Sequence, residues 1–192
     1  MKPARAHEQP EGEHPATSRG LQDERKEARD QLTLVLSFFS RVDAIASALL
    51  AIDTGMLAIL TSNALPLTAA SAMSVASYIL AGITAAMLAG SLWFLYCVAF
   101  PSLDGGHQSL IYFREIARRT ETNFIDAFTA QDEGLRVKDL LGQVWRNSCI
   151  LTAKFDSLKR AFILMAIAIV PWGAAVALFS AQHPSVHTLI TK

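Results

Sequence analysis

The chain has 192 residues, a formal net charge of zero and 52% hydrophobic residues, which suits one domain or one membrane unit. Its charges are unevenly distributed, because residues 54–103 and 161–191 contain no Asp, Glu, Lys or Arg. Burying charge-free helices of that length on all sides takes a larger soluble domain than this chain supplies. A bilayer crossing needs ~20 apolar residues, so the pattern disfavours a soluble globular protein and favours about three membrane crossings.

The first 22 residues are rich in Pro, Glu, His and Gly, which predicts a disordered tail and contains no signal-peptide core. From Asp23 onward, apolar residues recur at spacings of three and four, which predicts one long helix over residues 23–62. Its first half is expected outside the membrane and its second half is the first crossing. The inward stripe of this helix is predicted to contain Leu32, Val35, Phe39, Val42, Ala46, Leu49 and Asp53.

Asp53 falls near the middle of the first predicted crossing, where a carboxylate costs ~2.5–3.5 kcal/mol on insertion scales. No Lys, Arg or His lies in the predicted spans to pair with it, but Thr84 lies at a similar depth on the second crossing. Thr84 is therefore a candidate hydrogen-bond partner for Asp53. Two interpretations stay open: Asp53 and Thr84 line a pore or a subunit contact, or Asp53 is a tolerated acid that neighbouring helices hold by hydrogen bonds.

Residues 71–100 form the second predicted crossing, after a polar turn over residues 63–71. Gly82, Ala86 and Gly90 recur every four residues, a row of small residues that lets another helix approach closely. Aromatic residues cluster at the other end of this segment, where an interface belt is expected. They are Trp93, Phe94, Tyr96 and Phe100.

Residues 104–160 form the second charged region, and we predict two helices in it. The first spans about residues 108–128, and the second begins at Glu133, with Thr129 and Asp132 as candidate caps. The second helix continues into the third crossing at 161–181, which leaves residues 182–192 as a tail. Its predicted apolar stripe contains Val137, Leu141, Val144, Ser148, Leu151, Phe155, Leu158 and Phe162.

The basic residues predict the orientation. Of 17 Lys and Arg residues, seven precede Val42, nine lie in residues 114–160, one is Lys192, and the predicted 63–71 loop has none. The positive-inside rule then places the N-terminus and residues 104–160 in the cytoplasm. The predicted fold is all-α: an integral membrane protein with three crossings, whose cytoplasmic helical bundle consists of extensions of the two long helices and a connecting helix.

Basic side chains of the cytoplasmic region are the candidate ligand contacts. Arg114 and Arg118 are four apart, on one face of the predicted helix, where two guanidinium groups can grip a phosphate. Arg146 and Lys154 are further candidates on the last helix. A solvated face or a contact with anionic lipid headgroups explains the same residues, and that interpretation stays open.

The sequence carries no catalytic pattern. It has no glycine-rich phosphate loop and no nucleophile elbow, and Cys97 and Cys149 have no partner at metal or disulfide spacing. We therefore expect no catalytic residue, no metal and no cofactor, and a protein that is not an enzyme.

Two regions resemble the membrane-effector family of the bacterial Pycsar antiphage systems. In the first, Arg41, Asp43, Ala46 and Ser47 match the family pattern Arg-x-Asp-x-Lys-Ala-Ser at the membrane entry, with Ile45 in place of Lys. Asp53 also stands where a neutral Asn is common. The second region lies within residues 110–162 and is similar to the family's aromatic helix start and second long helix. Its matching residues include Tyr112, Phe113, Arg114, Gln143, Trp145, Lys154 and Phe155.

The resemblance implies a membrane effector that responds to cyclic CMP or cyclic UMP from a partner cyclase. Such an effector impairs the bacterial inner membrane and ends growth before phage are released, which is abortive infection. Three crossings are too few to surround a pore, so we expect a homo-oligomer in the lipid bilayer and no nucleic-acid partner. A structural or adaptor membrane protein, whose basic bundle holds a partner or lipid, is the alternative, and a membrane enzyme is disfavoured.

The orientation yields a direct test. Reporter fusions placed after Phe128 and after Lys192 are expected on opposite sides of the membrane, because one crossing separates them. Activity of a cytoplasmic and a periplasmic reporter at each position measures this. The same location for both fusions would remove the third crossing.

Overall fold

The computed structural model describes residues 15–69, 74–100, 106 and 108–182. Its regular elements are α1 (Pro15–Ala69), α2 (Val75–Ala99), α3 (Phe113–Ile116), α4 (Glu121–Ala130) and α5 (Glu133–Gln182). No strand occurs in these described residues, so the predicted all-α class is confirmed. By length and composition, α1, α2 and α5 are suited to cross a membrane, in agreement with the three predicted crossings.

The first helix is longer than predicted at both ends. It begins at Pro15 and not at Asp23, so residues 15–22 of the expected disordered tail are helical. Proline suits the first helical position, where its missing N–H has no intrahelical partner to lose. At the other end the helix continues through Pro66 to Ala69. Proline's fixed φ is compatible with a helix, and its missing N–H removes one intrahelical hydrogen bond. Residues 1–14 and 70–73 lie outside the described residues.

The predicted single helix over residues 108–128 is wrong, since the chain forms α3 and α4 with a break at residues 117–120. Thr120 explains the break, because it has the extended backbone of an N-cap residue and accepts a hydrogen bond from the Asn123 N–H at 3.3 Å. A side-chain hydrogen bond also marks the start of α5, where the Asp132 carboxylate accepts the N–H of Gly134 at 3.0 Å.

The chain divides into two compact units. The first unit contains Met1–Val35 and Asp104–Asn147, and the second unit contains Leu36–Leu103 and Ser148–Lys192. The helices α1 and α5 contribute to both units. In the first unit, an ion pair of 2.9 Å between Arg25 and Glu133 joins these two helices.

In the second unit, α1, α2 and α5 pack around one apolar core. A smaller apolar cluster of Leu60, Ala175 and Phe179 lies further along the same helices, and Trp172 packs against both clusters. The indole N–H of Trp172 donates to the carbonyl oxygen of Met56 at 3.0 Å, which fixes α5 against α1. The main core contains Val42, Leu49, Met56, Leu88, Leu95, Val98, Leu158, Ala161, Met165 and Ala168.

The buried stripe of α5 differs from the predicted stripe. Leu158 is buried as predicted, but Phe155 and Phe162 are exposed, and Lys154 and Ala161 occupy the inward positions. The prediction followed large apolar residues. In a bilayer such residues face lipid as readily as protein, whereas small residues allow helices to approach closely.

Only one of the three small residues on α2 lies at a close contact with another helix. A Cβ atom on Gly90 would lie 3.2 Å from Leu164 Cδ1, so this glycine permits the approach of α5. Gly82 faces open space, and Ala86 is exposed.

Gly90→Leu is expected to destabilise the second unit by ~1–3 kcal/mol, because the new side chain overpacks the contact with Leu164. Gly82→Leu is the matched control, because it brings the same gain in helix propensity without overpacking, and it should be at least as stable as the parent. Thermal unfolding of the two variants in the same detergent measures the difference. Equal stabilities would contradict the close packing at Gly90.

Candidate functional site

The segment before α3 is folded onto α5 by buried polar groups. Asp139 accepts the backbone N–H of Leu110 at 2.9 Å, and the side-chain amide of Gln143 donates to Ser109 Oγ at 3.0 Å. The same Oγ accepts two backbone N–H groups that follow it, at 3.1 and 3.0 Å. Ser109 and Gln143 are each only 4% exposed, so the first unit holds this loop by satisfied internal hydrogen bonds.

Glu115 connects this loop to α3. Gln108 has a φ of 63°, in the left-handed region that few residues other than glycine adopt, and its N–H donates to Glu115 Oε2 at 3.1 Å. The other carboxylate oxygen of Glu115 accepts the guanidinium of Arg118. One carboxylate therefore holds both the strained residue of the loop and a candidate ligand-binding arginine.

The two arginines predicted to share a helical face are arranged differently. Arg114 lies in α3, but Arg118 follows the end of that helix, so they do not lie on one continuous helix. Both side chains are exposed, and that of Arg118 is 61% exposed although it pairs with Glu115. Both remain accessible to an anion.

Arg146 is a half-buried cation that lies against two glycines of the first unit. A Cβ atom on Gly106 would overlap its guanidinium, and one on Gly142 would lie 2.8 Å from Nη2. The Nε atom of Arg146 is buried and has no hydrogen-bond partner among the described residues. Burying an N–H donor without an acceptor is costly, so Nε of Arg146 is a candidate contact for an anion.

Lys154, the fourth predicted ligand contact, lies in the second unit and is already paired. Its ammonium group donates to Asp43 Oδ1 at 2.8 Å and lies 5.5 Å from the ring centre of Phe39. The Lys154 side chain is 7% exposed, whereas that of Asp43 is 55% exposed. The structure therefore groups Arg114, Arg118 and Arg146 in one unit and places Lys154 in the other.

The four residues of the Arg-x-Asp-x-Lys-Ala-Ser pattern lie on α1 and make different contacts. Asp43 forms the ion pair with α5, and Ala46 packs against the apolar core. The hydroxyl of Ser47 donates to the carbonyl oxygen of Asp43 at 2.8 Å. The guanidinium of Arg41 is exposed and lies over the ring of Phe38 at 5.3 Å.

Asp53 is fully buried in the second unit, and neither carboxyl oxygen has a hydrogen-bond partner among the described residues. Ser91 of α2 lies beside the carboxyl group, but its hydroxyl donates to the carbonyl oxygen of Ala161 at 3.1 Å. Thr84 is also buried and donates to Leu80 O within α2 at 2.9 Å. The candidate hydrogen bond between Thr84 and Asp53 is therefore not formed in the structure. Asp53 lies inside the helix packing of the second unit.

Sequence reasoning missed the residues that position the loop before α3. The sequence alone assigns no role to Gly106 or Asp139, and Gln143 is named only among the residues that resemble the family's second long helix. The sequence does contain a signal for this contact. Asp139, Gln143 and the half-buried Asn147 are spaced four residues apart and therefore share one face of α5.

The ion pair in the second unit predicts unequal effects of its two deletions. Asp43→Ala leaves Lys154 buried without its acceptor and should cost ~3 kcal/mol or more, whereas Lys154→Met leaves only an exposed carboxylate and should cost much less. Thermal unfolding in detergent measures both, and the double variant should recover most of the Asp43→Ala loss. Equal costs for the two single variants would contradict the burial of Lys154.

Comparison with known proteins places these features in a family. The sequence profile PycTM, described as the Pycsar effector protein domain, matches residues 27–181. No curated protein and no solved structure matches the chain. The matched region spans most of the chain, includes α2, α3 and α4 entirely, and covers most of α1 and α5. The chain belongs to the Pycsar effector family, whose members act in antiphage defence.

Proposed function

We propose that this Pycsar effector binds a cyclic pyrimidine mononucleotide, cyclic CMP or cyclic UMP, from a partner cyclase. Binding activates it to impair the integrity of the bacterial inner membrane, which causes abortive infection. The family match supports the defence role, and three long apolar helices support the membrane location. The N-terminus and the first unit are cytoplasmic in this proposal, and the protein acts as a homo-oligomer.

The observation that carries the ligand proposal is the Nε atom of Arg146, which is buried without a hydrogen-bond partner among the described residues. The phosphate of a cyclic mononucleotide carries one negative charge and two exposed oxygens, which match the two-point donor geometry of arginine. Because Nε of Arg146 is buried without an acceptor, a phosphate there removes an unfavourable state of the free protein. The contact with Gly106 leaves the guanidinium beside the backbone of the loop before α3.

Arg118 and Arg114 supply further positive charge at the other end of the same loop. Gly106 contacts Arg146, and Gln108, two residues later, is bonded to Glu115, which also holds Arg118. A phosphate competes with Glu115 for Arg118. Transfer of Arg118 to the ligand breaks its ion pair with Glu115, the residue that also accepts the N–H of Gln108 in its strained conformation.

The continuous helices provide the route from ligand to membrane. Both α1 and α5 contribute residues to the first unit and supply crossings in the second. A change in the loop that Asp139 and Gln143 hold on α5 therefore acts on a helix that also crosses the bilayer.

The alternative is a structural or adaptor membrane protein without a nucleotide ligand. The first unit favours it through large apolar side chains that remain exposed, such as Trp145 at 70% and Phe113 at 63%. Exposed apolar surface of this kind suits a protein partner or a lipid surface.

Calorimetry on the detergent-solubilised protein tests the ligand proposal. The parent should bind cyclic CMP or cyclic UMP more tightly than cyclic AMP. Arg146→Ala and Arg118→Ala should each weaken this binding about tenfold or more, the effect of losing a charged hydrogen bond of ~1.5–3 kcal/mol.

Lys138→Ala is the matched control, because it removes an exposed positive charge from α5 without touching the loop. Its affinity should equal that of the parent. If the parent binds no cyclic mononucleotide, the nucleotide-activated effector is excluded and the adaptor function takes its place. If all three variants bind equally well, the ligand site lies elsewhere.

A further inference from the structure

A groove of about 260 Å³ opens in the second unit at the level of the Arg-x-Asp-x-Lys-Ala-Ser pattern. Four α1 residues at helical spacings of three and four form one wall, three α2 residues form the other, and α5 adds one residue. The lining residues are Asp43, Ala46, Ser47, Leu50, Leu95, Val98, Ala99 and Lys154.

The groove is polar at one end and apolar at the other. Asp43 and Lys154 meet at the polar end, and Leu50 lies seven residues further along α1, which is about 10 Å at 1.5 Å per residue. Leu50 is exposed, whereas Leu95 and Val98 belong to the buried core, so Leu50 offers the apolar surface that a hydrocarbon chain can reach. The groove therefore suits a molecule with a polar head and a hydrocarbon chain.

The polar end presents a free carboxylate oxygen, not a free cation. Lys154 is 7% exposed, and its ammonium is held between Asp43 Oδ1 and the ring of Phe39. Asp43 is 55% exposed, and its Oδ2 atom has no hydrogen-bond partner among the residues that the structure describes. The matching ligand is therefore a cation with N–H donors, because the exposed carboxylate of Asp43 repels an anion.

The neighbouring residues place the groove at the depth of lipid headgroups. Trp93, Tyr96 and Phe100 are exposed near the same end of α2, and exposed aromatic residues of this kind concentrate at membrane interfaces. Lys159 and Arg160 are exposed on α5 shortly before its charge-free stretch. Arg41, exposed two residues before Asp43, is available to a phosphate next to the ammonium group.

We infer that this groove binds a phospholipid with a primary ammonium headgroup, of the phosphatidylethanolamine type. The ammonium donates to Asp43 Oδ2, and the start of one acyl chain lies beside Leu50. Three of the four residues of the pattern then form a lipid site: Asp43, Ala46 and Ser47. The site does not depend on the nucleotide proposed for the first unit.

Lipid binding to the purified full-length chain tests this inference. Phosphatidylethanolamine, phosphatidylcholine and phosphatidylglycerol with identical acyl chains are added to the protein in detergent, and retained lipid is counted by native mass spectrometry. Phosphatidylethanolamine should be retained about tenfold more tightly than phosphatidylcholine, whose quaternary ammonium has no N–H to donate, since a charged hydrogen bond has about that effect. Phosphatidylglycerol should also be retained weakly.

Ser47→Phe fills the groove without altering the ion pair and should abolish the preference for phosphatidylethanolamine. Ala48→Phe, at an exposed position next to it that does not line the groove, is the matched control and should keep the preference. If Ser47→Phe does not fold, Ala99→Phe fills the groove from α2.

Three outcomes would each overturn the inference. They are equal retention of the three lipids by the parent, a preference for phosphatidylglycerol, and an unchanged preference in the groove-filling variant. Calorimetry with cyclic nucleotides is a separate measurement, so failure of this site and failure of the nucleotide proposal can be told apart.

Discussion

A bilayer core offers no hydrogen-bond partner to a peptide group, so each crossing of this chain has to be a continuous helix. The same constraint weakens the attraction between helices, because lipid tails are as apolar as leucine side chains. Close packing and a few polar contacts must then define how the helices pair. In the second unit, Gly90 allows α5 to approach α2, and buried Ala161, Ala168 and Ala175 continue this small-residue surface along α5.

Polar side chains connect α5 to its two neighbours at four successive levels. Lys154 bonds Asp43 of α1, and Ser91 of α2 bonds the carbonyl of Ala161. Further along, Trp172 bonds a carbonyl of α1, and Gln182 bonds hydroxyl groups near the start of α2. Each hydrogen bond between membrane helices contributes only ~0.6 kcal/mol on average. Their alternation between α1 and α2 nevertheless specifies the register of α5, because a shift by one turn breaks all four together.

Much of this architecture could be predicted from the sequence, because membrane length and charge exclusion are coarse signals. The inward stripe of α1 was predicted down to Asp53, since no other set of its residues recurs so regularly at spacings of three and four. The stripe of α5 was not, because Phe155 and Phe162 repeat every seven residues as regularly as the buried positions. Local sequence does not show that a lysine turns inward, since its partner Asp43 is 111 residues away.

The candidate ligand site could also be predicted only in part from the sequence. Basic residues in 104–160 could be recognised from composition, and Arg146 was among them. Its distinction from the other cations comes from Gly106, which is distant in sequence and contacts it only after the loop folds onto α5. The break between α3 and α4 depends on the N-cap residue Thr120. In the sequence, regularly spaced apolar residues are a stronger helix signal than one capping residue, so the pattern predicts a single helix over residues 108–128.

Asp53 has a consequence for how the proposed activation would work. A carboxylate at the centre of a membrane helix costs ~2.5–3.5 kcal/mol, and the described residues give Asp53 no hydrogen bond to offset that cost. The packed arrangement of the second unit therefore contains one unfavourable element among the contacts that hold α5 in register. A ligand that couples to a distant site typically supplies 1–3 kcal/mol. In the proposed activation, a rearrangement that gives Asp53 access to water or a polar partner would recover free energy of the same magnitude, and this would let one small nucleotide shift the balance between packed and loosened helices.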